Sequence, residues 1–263
     1  MSAPRFSTAT APGESDKNSP WWSVHVARYH FSQPYVKDNR VLDVACGTGY
    51  GLPLLQQHAR FVLGADIDLE TAKTARAELR GGQGNVLVAD ARELPFASNS
   101  FDVITSFETL EHLHDRDRFL AEVARVLTPD GLCILSTPNA KITLPINGQP
   151  RNPFHVHEYE PDEFRSELGE YFSHLTLLGQ HLDQRFTIPP FFQEQEQLWK
   201  QPGMRKQIIL WRAVNKIPFY GLRDQVSRAV WGHQFLPNET DYQFIESNLD
   251  TAPVLVAVCS NAS

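Results

Sequence analysis

Arg40-Val41-Leu42-Asp43-Val44-Ala45-Cys46-Gly47-Thr48-Gly49-Tyr50-Gly51 is the stretch that decides the fold. It reads as a short apolar strand from Arg40 to Val44, a glycine turn, and a helix that begins near Gly51. A backbone that bends sharply and lies close to a ligand needs residues without bulky side chains, and glycine alone takes φ > 0 cheaply. Dinucleotide sites space their glycines as G-x-G-x-x-G. Here they stand at Gly47, Gly49 and Gly51, behind an acid, Asp43. A tight βα turn that binds nothing is the plain alternative, and the neighbouring strands decide between the two.

Phe61 to Ala65 reads as the second strand and runs into Asp66-Ile67-Asp68. An acid at the tip of strand two, about 20 residues past a glycine turn, suits hydrogen bonds to both hydroxyls of a ribose, and Asp66 takes that role. Asp68 suits the N-cap of a helix from Leu69 to Leu79. A third strand, Asn85 to Ala89, runs into Asp90-Ala91. Upstream, Trp21 to Phe31 reads as a helix with Ser19 as its N-cap and Pro20 as its first helical residue. His25, Arg28 and Tyr29 share one face of that helix.

With Asp43, the three glycines, Asp66 and Asp90, the chain resembles the class I S-adenosylmethionine (SAM) methyltransferases, in particular type 11 and type 23 methyltransferase domains. Their first motif is an acid followed by x-G-x-G-x-G, and Ala45 stands here where the first glycine usually does. The resemblance covers about residues 20 to 180 and a terminal strand near Pro253 to Cys259. It implies an α/β, Rossmann-like doubly wound sheet of seven strands in the order 3-2-1-4-5-7-6, the last strand antiparallel beside strand six. It also implies SAM as cofactor, held by Asp43, Ala45, Cys46, Gly47, Gly49, Asp66, Ile67, Asp90, Ala91 and Phe107, with Asp90 accepting from the adenine amino group. In that family an N-terminal helix often closes over SAM.

The fourth strand, Phe101 to Phe107, is followed by Glu108-Thr109-Leu110-Glu111-His112. Ligands of open α/β sheets bind at the carboxyl ends of the strands. A helical turn beginning at Glu108 would project Glu111 and His112 the same way. Two carboxylates and an imidazole converging on one point make a divalent-metal site or an acid/base cluster. Beyond strand five (Gly131 to Ser136), Asn152-Pro153-Phe154-His155-Val156-His157-Glu158-Tyr159 brings two more histidines. E-x-x-E-H with a later His is similar to metal-assisted O-methyltransferases of small-RNA 3′ ends and of ubiquinone biosynthesis. That resemblance implies Mg²⁺ or another divalent ion on Glu108, Glu111, His112 and His155, with His157 competing for the last place. Metal-free members of the superfamily carry a similar stretch that shapes the SAM pocket and caps a helix, so a purely structural role is an alternative; for acid/base catalysis without a metal, His112 or His155 is the natural catalytic base, since histidine titrates near neutrality.

A chain of 263 residues with 41% hydrophobic content has room for one α/β domain with an insertion. It divides into a disordered tail over 1–18, a SAM-binding domain over 19–181 and 251–263, and a helical cap over 182–250. The cap holds aromatics such as Phe186, Phe191, Phe192, Trp199, Trp211, Phe219, Tyr220 and Trp231, and from Lys200 to Val230 seven bases stand against one acid, Asp224. Met204 to Ile217 fits an amphipathic helix with Ile208, Trp211 and Asn215 on one line and Leu210, Val214 and Ile217 on another. The cap packs on the sheet, closes over an anionic group, or rests on an anionic membrane surface; a net charge of −7 disfavours the last, and also a dedicated nucleic-acid binder. Cys46, Cys133 and Cys259 lack metal-like spacing and read as reduced thiols. No signal peptide or apolar span is recognised, so a cytoplasmic protein is expected. The motifs SFETLEHL, STPNAK and NPFHVHEY look like those of glycan and secondary-metabolite methyltransferases. The expected acceptor is a hydroxyl of a small molecule or glycan; RNA 2′-O-methylation and a non-catalytic SAM-binding subunit are the alternatives.

Overall fold

The computed structural model describes residues 20–79, 81, 84–190, 195–196 and 198–261. The expected tail over 1–18, the Ser19 cap, Phe191 and Phe192 lie outside them. Strands β1 (Arg40–Val44), β2 (Phe61–Asp66), β3 (Gly84–Val88), β4 (Phe101–Phe107) and β5 (Leu127–Pro138) are mutually parallel. Strands β6 (His174–Leu182), β7 (Tyr242–Ile245) and β8 (Val254–Ser260) complete the sheet. Its order is β3-β2-β1-β4-β5-β8-β6-β7, with β8 antiparallel to both β5 and β6. Seven strands stand in the expected order. The eighth, β7, is a correction: it comes from the chain before the last strand and pairs antiparallel with the outer edge of β6. Its four residues are too short to stand out from a polar loop.

The central strands are near-continuous apolar runs because helices cover both faces. On one face, α4 (Arg116–Val126) and α6 (Pro161–Gly169) bury Phe119, Leu120, Val123, Phe164 and Leu168. On the other, α1 (Pro20–Val36), α2 (Leu52–Gln56) and α3 (Leu69–Glu78) bury Tyr29, Val36, Leu52, Leu55 and Ala75. Asp68 caps α3, its Oδ1 accepting from the Thr71 N–H at 2.8 Å. The short helix α5 (Ala140–Thr143) follows β5. Two longer helices, α7 (Met204–Asn215) and α8 (Tyr220–Trp231), share a separate apolar cluster of Ile188, Ile208, Trp211, Val214, Phe235 and Leu236. The buried line of α7 is therefore Ile208, Trp211 and Val214, while Leu210 and Asn215 face outward, which revises the expected pairing.

The glycine turn is shaped by what presses on it. Gly49 sits at φ +80, and an added Cβ would come within 2.5 Å of the Ala75 backbone in α3. At Gly51 an added Cβ would fall inside the Tyr29 ring, which α1 lowers onto the turn. Tyr29 also donates its hydroxyl to Asp43 Oδ2 at 3.0 Å, and Thr105 of β4 donates to Oδ1 at 2.7 Å. Asp43 is 1% exposed. Burial pushes its carboxyl up to about 7, opposed by the hydrogen bonds from Thr105 and Tyr29 and reinforced by the Asp66 charge.

Gly51→Ala should lower stability by about 1–3 kcal/mol, the cost of overpacking. In a Tyr29→Ala background the same change should cost less, a coupling that a double-mutant cycle in urea measures. Additive effects would show that the ring and the turn are independent. The Asp43 carboxyl, with a folded pKa above the ordinary value near 4, holds its proton more tightly in the folded state. Its contribution to stability therefore falls as pH rises from about 4 to about 7. Asp43→Asn should flatten the urea midpoint over that window; identical slopes in both proteins would assign the pH dependence elsewhere.

Candidate active site

The carboxyl ends of β1, β2 and β4 meet at the glycine turn. Ala45 has φ +56 and Gly47 φ +57, so the chain turns left-handed immediately after β1. Ala45 holds this conformation with a Cβ, at about 1 kcal/mol. The Cys46 N–H donates to the Ala65 carbonyl at 3.0 Å, and the Cys46 thiol is buried, which pushes its pKa up. Asp66 accepts from the Gly47 N–H at 2.9 Å on Oδ2 and from the Asp68 N–H at 3.0 Å on Oδ1. Each oxygen keeps a lone pair, so two further donors, such as the hydroxyls of a diol, can be accepted. Burial raises the Asp66 pKa, against these backbone bonds. Ile67 beside it is 58% exposed, an apolar shelf at the end of β2.

Asp90, after β3, is held by Arg92, whose Nε lies 3.0 Å from Oδ1 and Nη2 2.8 Å from Oδ2. Those bonds lower the Asp90 pKa. Ala91 is half-buried next to it. Phe107, at the end of β4, is buried under Tyr29, with ring centroids 5.0 Å apart. Arg28 reaches over the same ring at 5.9 Å.

Beyond Phe107 the chain does not begin a helical turn at Glu108. Glu108 takes φ +52, and a 3-10 turn starts at Leu110. This corrects the expectation that Glu108, Glu111 and His112 project together. The Glu108 carboxylate accepts from the Ser136 hydroxyl at 2.8 Å and stands 3.8 Å from Arg28 Nη1. Glu111 turns inward and is fully buried, with Oε2 accepting from Thr137 at 3.2 Å. Its Oε1 has no hydrogen-bond partner among the described residues. Burial, then the nearby Glu108 charge, raises the Glu111 pKa well above the usual carboxylate range.

The His112 Nδ1 lies 2.9 Å from the Phe154 carbonyl, which can only accept, so Nδ1 carries the proton and Nε2 keeps its lone pair. Burial lowers the His112 pKa, against the Phe154 bond. The His112 and His155 rings meet edge to face at 4.8 Å. His155 Nδ1 bonds Glu158 Oε1 at 2.6 Å, and Asn152 Nδ2 lies 2.9 Å from its Nε2. His157 instead bonds Glu163 at 2.8 Å and is not part of the cluster that joins Glu111, His112 and His155. Glu111, His112 and His155 each offer a ligand atom within 4.8 Å of the others. Glu108 is outside that group. Sequence reasoning missed Thr137, Asn152, Glu158 and Gln180; the one available signal was a polar residue, Gln180, inside the apolar run of β6.

Residues 42–135 match the family described as methyltransferase domain. A Mycobacterium tuberculosis chain whose name describes an S-adenosylmethionine-dependent methyltransferase is 40% identical over 148 residues, 56% of this chain and 53% of that one. An Aspergillus nomiae protein named O-methyltransferase rstn1 is 36% identical over 99 residues, 36% of this chain and 44% of that one. The chain thus spans about half the length of the curated relatives it matches. Among solved structures, a chain from the Haloferax volcanii complex that contains the Trm112 methyltransferase activator superposes with TM-score 0.61 at 19% identity, over 100% of both chains, a likeness of fold. Among the described residues no helix is long and apolar enough to cross a membrane. The fold is Rossmann-like, as in the Haloferax volcanii complex, and the segment shared with these relatives is similar to a methyltransferase domain, which the relatives' names tie to S-adenosylmethionine as donor.

Proposed function

We propose that this chain is a SAM-dependent methyltransferase that methylates a hydroxyl oxygen on a small molecule or glycan. The observation that carries the acceptor half of this reading is the cluster of Glu111, His112 and His155, each with a ligand atom within 4.8 Å of the others, together with Glu111 Oε1, a buried atom without a hydrogen-bond partner among the described residues. Leaving such an atom unsatisfied costs about 1–3 kcal/mol, a cost that an incoming polar group removes. Methyl transfer from a sulfonium is an in-line displacement on an activated donor. The protein's task is to orient the acceptor and receive its proton. His112, kept neutral by burial, offers Nε2 to a hydroxyl proton, while its Nδ1–H on the Phe154 carbonyl fixes the ring. Glu111, whose pKa burial raises, can donate to the same oxygen in its protonated form and hold it in line. A relative named as an O-methyltransferase supports oxygen as the acceptor atom.

The same three residues fit a divalent ion. Their His₂Glu donor set is of the kind that binds zinc and similar ions, and Glu111 Oε1 is a free ligand atom. Tetrahedral ligands at about 2.1 Å from such an ion stand about 3.4 Å apart, so a pair separated by as much as 4.8 Å must draw together on binding. Bound there, an ion would lower the acceptor hydroxyl's pKa and orient its oxygen. A reading without an ion is favoured by Asn152, whose amide already engages His155 Nε2.

Calorimetry on EDTA-stripped protein, first with SAM and then with Mg²⁺, Mn²⁺ or Zn²⁺, tests both halves. Stoichiometric metal uptake that vanishes in Glu111→Gln and His112→Ala supports the ion; SAM binding with no uptake leaves His112 as the base. In either case these variants should lose turnover at least tenfold while SAM affinity stays within twofold. A parallel loss of SAM affinity would assign the stretch to the cofactor pocket. Asp66→Asn should weaken SAM binding by about 1.5–3 kcal/mol, the worth of a hydrogen bond to a charged group; unchanged affinity would remove Asp66 from the ribose role.

A further inference from the structure

The two cap helices and the turn between them expose five large apolar side chains, Ile209, Leu210, Phe219, Leu222 and Val230. These are not the residues that hold the cap together, since Ile208, Trp211 and Val214 already close the cluster with Phe235 and Leu236. On α7, Lys206, Ile209, Leu210 and Ala213 follow one another at helical spacing and form an outward stripe that runs on toward Lys216. On α8, Leu222, Gln225 and Ala229 face outward in the same way. Phe219, where α7 turns into α8, is 70% exposed.

Positive charge is gathered on the same segment. From Lys200 to Val230 seven bases stand against one acid, in a chain whose net charge is −7. That acid, Asp224, is engaged by Arg228 at 2.9 Å. Arg205, Lys206 and Lys216 are exposed and belong to no ion pair among the described residues. The charge of the whole chain, which disfavoured an anionic membrane, is therefore no measure of this face.

The mixture of residues selects the partner. Protein interfaces are depleted in lysine, whereas Lys206 lies between Ile209 and Leu210 on the helix surface. A nucleic acid engages the bases through its phosphates but gives the exposed Ile209, Leu210, Phe219 and Leu222 no apolar medium. A bilayer surface accommodates both kinds: apolar side chains enter the acyl boundary while lysine stems lie beside them and their heads reach anionic headgroups.

We propose that the outer face of the cap docks on an anionic lipid surface, with Phe219 and Leu222 entering the bilayer and Lys206 and Lys216 meeting its headgroups. The other side of α8 ties this face to the crevice. There Tyr220, Asp224 and Arg228 line a cavity of about 320 Å³ with Trp22 and Ser23 of α1. The Trp22 ring lies 5.6 Å from that of Tyr50 in the glycine turn. A docked cap would bring the rim of the crevice to the headgroup layer.

Flotation of the full chain with lipid vesicles tests this and needs neither cofactor nor acceptor, so its outcome is separate from that of the methyl-transfer reading. Wild type should bind vesicles of phosphatidylcholine with phosphatidylglycerol at least about tenfold more tightly than pure phosphatidylcholine, since each base near an anionic surface is worth about fivefold. Salt at about 0.5 M should erase most of that difference by screening. Lys206→Glu with Lys216→Glu should weaken binding to the mixed vesicles at least about tenfold, and Phe219→Ser with Leu222→Ser should do the same by removing the inserted area. All four side chains are exposed, so both pairs should melt as wild type does. Should a pair melt early, Lys216→Glu and Phe219→Ser alone must each show a smaller loss.

No binding to the mixed vesicles overturns the proposal, as does binding that either folded pair retains in full. A wild type that ignores vesicles but forms a dimer which Phe219→Ser with Leu222→Ser dissociates would assign the face to a second copy of the chain. One that ignores vesicles and binds polyuridine through Lys206 and Lys216 would assign the bases to nucleic acid. Either result overturns lipid docking.

Discussion

The structure around the crevice depends on one carboxyl group accepting two hydroxyls at once. Asp43 lies in β1, Thr105 in β4 and Tyr29 in α1, so the two bonds join three elements that the sequence separates by up to 76 positions. A carboxyl at 1% exposure needs such partners, because an unsatisfied polar group there costs about 1–3 kcal/mol. Tyr29 is thereby drawn down over the glycine turn, and the missing Cβ of Gly51 leaves the room for its ring. Once Tyr29 is fixed, helical geometry fixes Arg28 and His25 on the same side of α1. The placement of the buried guanidinium therefore follows from the acid of the first motif.

Much of this was legible in the chain, for reasons that can be named. The parallel strands are apolar on both faces, so their runs stand out, and the acids that end them mark where the backbone leaves the sheet. Asp68 was readable as a cap because a short carboxylate before a helical run satisfies an orphan N–H. β7 was not readable. It is four residues long, half-exposed, and gains its identity only from pairing with the edge of β6. The face of α7 was misjudged because its apolar residues nearly encircle the helix, and only contact with Phe235 and Leu236 selects Ile208, Trp211 and Val214. Periodicity carries no information about a partner that arrives 20 residues later.

Glu108 was misjudged for a different reason. A three- and four-residue spacing brings side chains together only when the backbone is helical throughout, and Glu108 sits in the left-handed region. Nothing in its residue type demands that, since a non-glycine residue there costs about 1 kcal/mol or more. The strain is local and patterned: Ala45 follows β1 and Glu108 follows β4, and these are neighbouring parallel strands. Non-glycine residues at positive φ thus stand side by side at the two strand ends that border the crevice.

That turn of the backbone gives the two acids of the E-x-x-E-H stretch different environments. Glu108 is sent toward Arg28 and Ser136, where it offsets part of a buried positive charge from 3.8 Å. Glu111 is sent into the core beside Thr137, where burial raises its pKa and Oε1 has no hydrogen-bond partner among the described residues. The two acids still feel each other, since the Glu108 charge is the second cause, after burial, of the raised Glu111 pKa; projection from one helical face would have put both in one desolvated pocket and strengthened that repulsion. Instead Glu108 stands at the Arg28 and Ser136 side of the β4–β5 junction, while Glu111 packs beside Thr137 and joins His112 and His155. In this architecture the left-handed residue after β4 is the element that parts the two acids.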